Sequence, residues 1–462
     1  MQEGFIFATR LGGKTAGIEY LRQARLNGAA LLLVEGEAPS DANLPWIKVE
    51  RFRPALSIAS RAIYGDPSKK LGLFGVTGTN GKTSTVHLLR SIFETAGAKC
   101  AMLSTIGYWT GKEMIEASLT TPDIDQSSSL LDDAVSGGAT FAAMEVSSHA
   151  LDQGRVWGLN FAGAGFTNLS VDHLDYHGDL IEYSIAKERL FRSLPLSSTA
   201  AVNVNGSWGS RIIRACWSPV ITVGGENSGA DLRMTLVEHT VTGGRHLLEW
   251  KDRKIEVRTP LVGVYQGENI ALAAALAFSQ DIDVATVVKG VVNLKAVPGR
   301  MEAVICGQPF SLFVDYAHTP DALRRALKSL RPLTSGKILV LFGCGGDRDR
   351  SKRPQMGQLA ANEADRVFIT SDNPRSEDPV AITTEIFDGI DQQTAAKAKV
   401  IVDRQEATWA AIKAAAPGDI VLLAGKGSEW YQEVNGVRHP YDDRLRAVEI
   451  LRELGHKSGA NH

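Results

Sequence analysis

The sequence predicts an α/β protein of three domains. Three observations lead there. An apolar strand runs into a glycine-rich, phosphate-holding turn at Leu73–Thr83; short apolar runs alternate with helical stretches from Leu71 onward; and 462 residues exceed one ordinary hydrophobic core. The expected parts are a small N-terminal α/β domain over 1–67, a central nucleotide-binding α/β domain over 68–298 and a C-terminal α/β domain over 299–462. The central part is expected to combine a parallel sheet with an antiparallel excursion.

In the first segment, Gly4–Arg10 and Ala29–Val34 read as strands, with a helix from about Ile18 to Asn27 between them. Asp66-Pro67-Ser68 is a turn signal and closes it. The run Leu73-Phe74-Gly75-Val76-Thr77-Gly78-Thr79-Asn80-Gly81-Lys82-Thr83-Ser84 follows. Gly78 and Gly81 let backbone N–H groups approach phosphate oxygens. Lys82 can reach the terminal phosphates, and the Thr83 hydroxyl can ligate Mg²⁺. The expected helix Thr83–Ala96 presents Val86, Leu89, Ile92 and Phe93 on one face and ends at Gly97.

Phe141–Val146, Phe161–Thr167 and Ala200–Val204 have the length of buried parallel strands. Residues 219–258 alternate and are β-rich, as an antiparallel segment would be. Val297-Pro298-Gly299-Arg300 reads as a linker. Beyond it, Ser311–Asp315, Ile338–Phe342, Arg366–Thr370 and Ile420–Ala424 are strand-like, and Ala322 to Leu330 is an amphipathic helix. The tail from Lys457 is polar and expected to fray.

Chemically loaded residues follow these strands, where open α/β sheets bind ligands. Glu145 ends one apolar run, as a second handle on Mg²⁺ would. His173, in Asp172-His173-Leu174-Asp175-Tyr176-His177, can ligate a metal or position a reacting group, whereas His149 and His177 read equally well as hydrogen-bonded structural histidines. Asp315-Tyr316-Ala317-His318 reads either as a nucleotide contact or as a capping aspartate with core aromatics. Arg348 lies in a glycine-rich, charged loop whose guanidinium forks suit carboxylate or phosphate. Asp372-Asn373-Pro374-Arg375 and Gly425 to Glu429 together suit an amino acid, which carries both ammonium and carboxylate. By spacing, Lys187 is a solvent-facing lysine on a helix.

The bulk numbers exclude several classes. A net charge of −2 gives no reason to expect nucleic acid. No apolar run is long enough to span a bilayer, and no signal peptide is read at the N-terminus. Cys100, Cys216, Cys306 and Cys344 are scattered, which fits a reducing cytoplasm and argues against a disulfide framework or zinc site.

Gly78-Thr79-Asn80-Gly81-Lys82-Thr83, Met144 to His149, Asp172 to Gly178, Val314 to His318 and Asp372 to Arg375, in this order, resemble the tripeptide-forming branch of the Mur ligase family. The likeness covers essentially the whole chain and implies a small N-terminal domain for the UDP end, a central P-loop ATPase-like domain and a C-terminal Rossmann-like domain for the incoming amino acid. It implies ATP-driven addition of meso-diaminopimelate to UDP-N-acetylmuramoyl-L-alanyl-D-glutamate through an acyl phosphate, in a cytoplasmic, monomeric enzyme of peptidoglycan precursor synthesis. It implies that Thr120, Thr121, Ser147, Gln153 and Arg155 hold the UDP-sugar dipeptide. Thr83, Glu145, His173 and an N-carboxylated Lys187 match magnesium ligands, and Lys82, Glu145, His173 and Lys187 the catalytic set. Asn269, Arg300 and Asp315 match nucleotide contacts, alongside Gly78 to Ser84 of the loop. Arg348, Asp372, Asn373, Pro374, Arg375, Gly425 and Glu429 match the positions that read the amino acid, with Arg375 on its distal carboxylate.

Several positions depart from the pattern. Gln266 replaces the commoner first asparagine of the nucleotide motif, Ser428 stands where histidine is usual, and Thr15-Ala16-Gly17 replaces Thr-Asp-Gly. The family's Asp-Ser-Arg has no counterpart before Gly4, so part of the uracil pocket is expected to be missing or to lie upstream. These departures keep open a related ligase that adds L-lysine or another amine, or acts on a different acceptor such as folate polyglutamate.

Overall fold

The structure, a computed structural model, describes residues 4–10, 20–38 and 42–456. Thr15-Ala16-Gly17 and the tail from Lys457 lie outside them, as does the start of the helix expected from Ile18, whose described part is Leu21–Leu26.

Three parallel-dominated sheets follow one another along the chain. The first pairs Ile6–Arg10 with Leu31–Glu35 and Leu31–Glu35 with Trp46–Val49, all parallel. Trp46–Val49 is a strand the sequence did not announce. It is a largely exposed edge, so no alternation of apolar and polar residues marks it. Helix Phe52–Ile63 leaves this sheet and packs on Ile124–Ser136, where Arg53 pairs with Asp123 and the Ser57 hydroxyl donates to the Trp157 carbonyl.

The middle sheet has eleven strands. Its centre is parallel, in the order Thr199–Asn203, Gly163–Phe166, Gly72–Thr77, Phe141–Glu145, Cys100–Leu103. Alternation along Gly72–Thr77 explains the double cover. Phe74 and Val76 meet helices Lys82–Thr95 and Gln266–Phe278, while Leu73 faces Leu130, Leu131 and Leu190. The antiparallel part begins later than residue 219. Val220–Gly224 lies parallel to Thr199–Asn203, and only Leu232–Thr240, Gly243–Trp250 and Arg253–Thr259 form the meander.

The third sheet is ordered Glu302–Ala303, Ser311–Asp315, Ile420–Ala424, Ile338–Phe342, Arg366–Ile369, Ala398–Val400, and only its first pair is antiparallel. Helices cover both faces. Val262 of the middle part and Met301 are buried in this third core, and Val264 N–H donates to the Ser329 hydroxyl at 2.9 Å. The two larger bodies therefore share packing beside the cleft between them. Among the described residues, no helix is long and apolar enough to cross a membrane.

Candidate active site

A cleft of about 210 Å³ opens where the carboxyl ends of the middle strands meet the third sheet. Its floor is the loop after Gly72–Thr77. Gly78 has φ +146° and Gly81 has φ +91°, conformations that favour glycine. Space forbids a side chain at either position as well. A Cβ on Gly78 would sit 1.8 Å from the Thr167 hydroxyl, and one on Gly81 would sit 2.3 Å from Asn269 Oδ1. The loop is stitched to the next strand end. Thr79 N–H donates to the Asn168 carbonyl at 2.9 Å, and the Asn168 amide brackets Asn80 through its N–H and carbonyl, both at 3.1 Å.

Lys82 donates to the Gly78 and Thr79 carbonyls at 3.0 and 2.8 Å. Burial lowers its pKa, against the pull of Glu145 and Asp172. Lys187 reaches the same Gly78 carbonyl at 2.9 Å and is only 1% exposed. The solvent-facing position expected from its spacing is therefore wrong. Helix Leu180–Arg192 turns this face inward, and the Lys187 ammonium sits 4.3 Å from the Tyr183 ring. Burial first, and the neighbouring Lys82 second, push its pKa well below the ordinary value. The shift is towards the neutral amine.

Glu145 ends its strand and is 1% exposed, with Oε1 accepting from Thr105 N–H at 2.9 Å. His173 has φ +54° and its Nε2 stands 3.3 Å from Asp172 Oδ2. Burial lowers its pKa to about 3, although Asp172 opposes this, so the imidazole is neutral near pH 7. His177 accepts or donates at 3.0 Å with the Ser148 hydroxyl, in line with a structural histidine, and His149 packs beside His173 with ring centroids 4.9 Å apart.

The opposite wall comes from the third part. Arg300 Nη2 donates to the Thr83 hydroxyl at 3.0 Å, and its guanidinium lies over the Tyr316 ring at 4.2 Å. Asp315 accepts from Met301 and Ala317 N–H at 2.7 and 2.9 Å, and burial raises its pKa. It caps its loop, as the second sequence reading has it, and lines the cleft together with Tyr316 and His318. Asn80 donates to Asp321 at 3.3 Å, a further bond between the two bodies. Asn269 donates to Gln266 Oε1 at 2.9 Å.

Thr79 to Ser84, Thr120, Glu145, Ser147, His173, Asn269, Arg300 and Asp315 thus line one cleft. Gly78, Thr121, Gln153, Arg155 and Lys187 do not line it. Thr121 is buried behind it, bonded to Glu145 and Ser147. Arg155 binds the Thr121 carbonyl and Gln153 Oε1, and Gln153 meets Tyr176.

The remaining predicted residues form a second cluster. Fully buried Lys426 donates to Asp372, Asn373 and Glu429 at 3.2, 3.1 and 3.4 Å. Asn373 also donates to Glu429 at 2.8 Å and accepts from Glu433 N–H at 2.9 Å, which leaves one amide hydrogen unused. Burial pushes the Asp372 carboxyl up, but Lys426 and Arg404 outweigh it and the net shift is down. Burial and Asp372 raise Glu429. Gly425 follows strand Ile420–Ala424 with φ +104°, and a Cβ there would lie 3.3 Å from Asp372. Pro374 is buried between Asn373 and Arg375, and its carbonyl lies 1.9 Å from where a Gly346 Cβ would be. Arg348 and Arg375 flank Gly345, whose Cβ position is 3.8 Å from Arg348 Cγ and 2.9 Å from Arg375 Nη1. Tyr316 joins the clusters, since it lines the cleft and packs on Gly427.

Sequence reasoning left out several lining residues. Asp172 opens the run Asp172 to His177, and Asn168 directly follows the strand-like run Phe161–Thr167, so both were within reach. Thr105 and Arg325 carried no local signal. Arg325 reaches across to Glu268 at 3.9 Å from a helix of the other body.

Two family models match the chain, the Mur ligase middle domain over residues 76–277 and the Mur ligase glutamate ligase domain over 299–427. UDP-N-acetylmuramoyl-L-alanyl-D-glutamate--2,6-diaminopimelate ligase of Solibacter usitatus is 42% identical over 455 residues, covering 98% of this chain and 92% of that protein. The protein of that name in Bacillus licheniformis is 40% identical, with 98% and 93% covered. A solved structure of a ligase of that name is 34% identical with a TM-score of 0.66, covering 99% of this chain and 94% of that one. MurF ligase from Thermotoga maritima in complex with ADP shares the fold, with a TM-score of 0.68 at 18% identity, over 98% and 95% of the two chains. With both family models and full-length relatives in agreement, the chain belongs to the Mur ligase family and is an ATP-dependent ligase of the acid–amino-acid type.

Proposed function

We propose that the chain adds meso-diaminopimelate to the D-glutamyl carboxylate of UDP-N-acetylmuramoyl-L-alanyl-D-glutamate at the expense of ATP. One observation carries the reading. A phosphate loop, a buried carboxylate, a neutral imidazole and an arginine from the other body line a single cleft, and Tyr316 connects it to the charged cluster of Lys426, Asp372, Asn373 and Glu429.

The proposed division is 1–67 for the UDP end, 68–298 for ATP and 299–462 for the amino acid. Gly78 to Ser84 cradle the phosphates, and Asn269, Arg300 and Asp315 hold the rest of the nucleotide. Thr120, Thr121, Ser147, Gln153 and Arg155 hold the UDP-sugar dipeptide. Its carboxylate attacks the γ-phosphorus, giving an acyl phosphate and ADP. Lys82 stabilises the charge spread over the transferred group. The amine then attacks the acyl carbon, and the tetrahedral intermediate expels phosphate. Arg348, Asp372, Asn373, Pro374, Arg375, Gly425 and Glu429 form the pocket that presents that amine. Because Asn373 spends three of its four hydrogen-bonding positions on protein groups, it acts there chiefly by holding Glu429 and the loop.

Mg²⁺ fits the donor set. Thr83, Glu145 and His173 offer oxygen and neutral nitrogen around a phosphate-binding loop, and bound Mg²⁺ would neutralise phosphate charge. Lys187 fits N-carboxylation, because only a neutral amine reacts with CO₂ and burial beside Lys82 favours that form. Its carboxylate would add an oxygen ligand where, among the described residues, no three His, Cys, Asp or Glu side chains gather. A cytoplasmic monomer that neither binds nucleic acid nor enters a membrane completes the proposal.

The test is phosphate release from purified protein with ATP, Mg²⁺, the UDP-sugar dipeptide and a panel of amines. Release with meso-diaminopimelate, dependent on the dipeptide, is expected. Release with L-lysine alone, or without the UDP-sugar, would point to the related ligases that Gln266 and Ser428 keep open, and no release with any amine removes the reading. A Lys187→Ala variant should lose turnover and regain part of it with acetate. Undiminished turnover would contradict the carboxylated lysine.

A further inference from the structure

The two arginines of the amino-acid pocket stand in different electrostatic situations. Arg348 has no carboxylate partner among the described residues, and its Nη1 donates to the Asp347 carbonyl at 3.0 Å. Arg375 is already engaged. Its Nη1 donates to the Gly346 carbonyl at 2.7 Å, and its Nε faces Glu433 Oε2 at 3.7 Å.

Glu433 does not owe its place to that ion pair. It belongs to the hairpin Tyr431–Val434 with Val437–Pro440, which is laced to the Asp372–Arg375 loop through the backbone. Arg375 N–H donates to the Glu433 carbonyl at 3.0 Å, and Asn435 N–H donates to the Arg375 carbonyl at 2.7 Å. Glu433 N–H donates to Asn373 Oδ1 at 2.9 Å, and the Gln432 amide donates to the Asp372 carbonyl at 2.6 Å. The backbone thus holds a carboxylate beside the Arg375 guanidinium whether or not the pair is tight. The pair itself is loose and partly exposed, with the side chains 22% and 26% exposed.

We propose that Glu433 is a specificity-determining residue, the resident counter-ion that a substrate's second carboxylate must displace from Arg375. This rests on the reading of Arg375 as the group that takes the distal carboxylate of meso-diaminopimelate. An amine with that carboxylate competes with Glu433 and meets a like charge. An amine without it, such as L-lysine, leaves the Arg375–Glu433 pair standing and strands no unpaired cation. Glu433 therefore narrows the preference between the two amino acids. Removing its charge should widen it.

Glu433→Gln keeps the backbone bonds and the shape of the side chain. The expected result is a KM for meso-diaminopimelate lowered about five-fold, the effect of one loose, partly exposed ion pair. The KM for ATP and kcat stay as in the parent. The KM for L-lysine, or its Ki against meso-diaminopimelate where turnover is too slow to follow, does not fall. In an Arg375→Ala background the same substitution has no effect on the KM for meso-diaminopimelate, because the contested cation is gone. Equal changes for both amino acids, no change for either, or an undiminished effect without Arg375 would each overturn the proposal while leaving the ligase reading intact. A parent protein that releases no phosphate with meso-diaminopimelate removes both. Calorimetric titration of meso-diaminopimelate into parent and variant reads the same shift as a Kd, independently of turnover.

Discussion

Gly81→Ala separates the two reasons for glycine in the phosphate loop. The first is backbone conformation. At φ +91° an alanine pays about 1–2 kcal/mol for the left-handed region. The second is space. The new Cβ would lie 2.3 Å from Asn269 Oδ1, where ordinary contact begins at 3.4 Å, so about 1.1 Å must be found. Asn269 cannot swing away freely. It is 4% exposed, and its amide nitrogen is tied to Gln266 at 2.9 Å. Overpacking of this kind costs about 1–3 kcal/mol, which brings the total to roughly 2–5 kcal/mol. Gly97→Ala isolates the first cost, because Gly97 has φ +85° and nothing within 4 Å of its Cβ position. Thermal unfolding followed by circular dichroism should show Gly81→Ala lowering the first transition by roughly 5–15 °C, and Gly97→Ala by distinctly less. The KM for ATP should rise at least about ten-fold in Gly81→Ala alone. In an Asn269→Ala background, Gly81→Ala should cost only the conformational part. The reasoning fails if Gly81→Ala and Gly97→Ala melt alike, or if removal of the Asn269 amide recovers nothing.

Three further outcomes are expected. Arg300→Lys loses the Thr83 hydrogen bond and the planar stack on Tyr316, so the KM for ATP should rise about ten-fold with little change in melting. Equal ATP kinetics would remove Arg300 from the nucleotide set. Asp443→Ala leaves fully buried Arg404 without its carboxylate at 2.6 Å and should destabilise by about 3–5 kcal/mol in urea unfolding, while Arg404→Met with Asp443→Leu should lose much less. The third concerns acid. Burial lowers the His246 pKa to about 4, below its ordinary 6.5, and the side chain is 2% exposed. Between these two values the unfolded chain binds the extra proton, so stability should fall as pH drops from about 6.5 towards 4, by up to about 3 kcal/mol. His246→Leu should flatten that slope in melting curves taken across the range.

The parts legible in the sequence are those whose physics is local. The turn Gly78 to Thr83 announces itself because its glycines, lysine and hydroxyl sit within six residues, between an apolar strand and an amphipathic helix. Glu145, Asp315 and Gly425 could be located because each lies at or just past the end of a three- to five-residue apolar run, and in parallel sheets that end carries the chemistry. The edge strands Trp46–Val49, Glu302–Ala303 and Ala398–Val400 escaped because one-sided or exposed strands leave no apolar run.

Lys187 shows most clearly why the rest was not legible. Its neighbours on the helix read as an ordinary amphipathic stretch, and a long cationic side chain among apolar residues usually reaches for water. Its burial is decided 109 residues away, by the Gly78 carbonyl that also accepts from Lys82. Two lysine chains converging on one carbonyl oxygen is an arrangement no window of sequence contains. The same applies to Lys426, whose three side-chain acceptors come from two loops, and to Arg375, whose counter-ion sits on a hairpin 58 residues further on in the chain (433 − 375 = 58). In each case the residue type was visible and its protonation or pairing was not. What a cation can do, whether grip a phosphate, react as a free amine or wait for a carboxylate, depends on which partners the fold brings to it. For Arg375 the decisive partner is a glutamate that no motif contains, held in place by backbone hydrogen bonds.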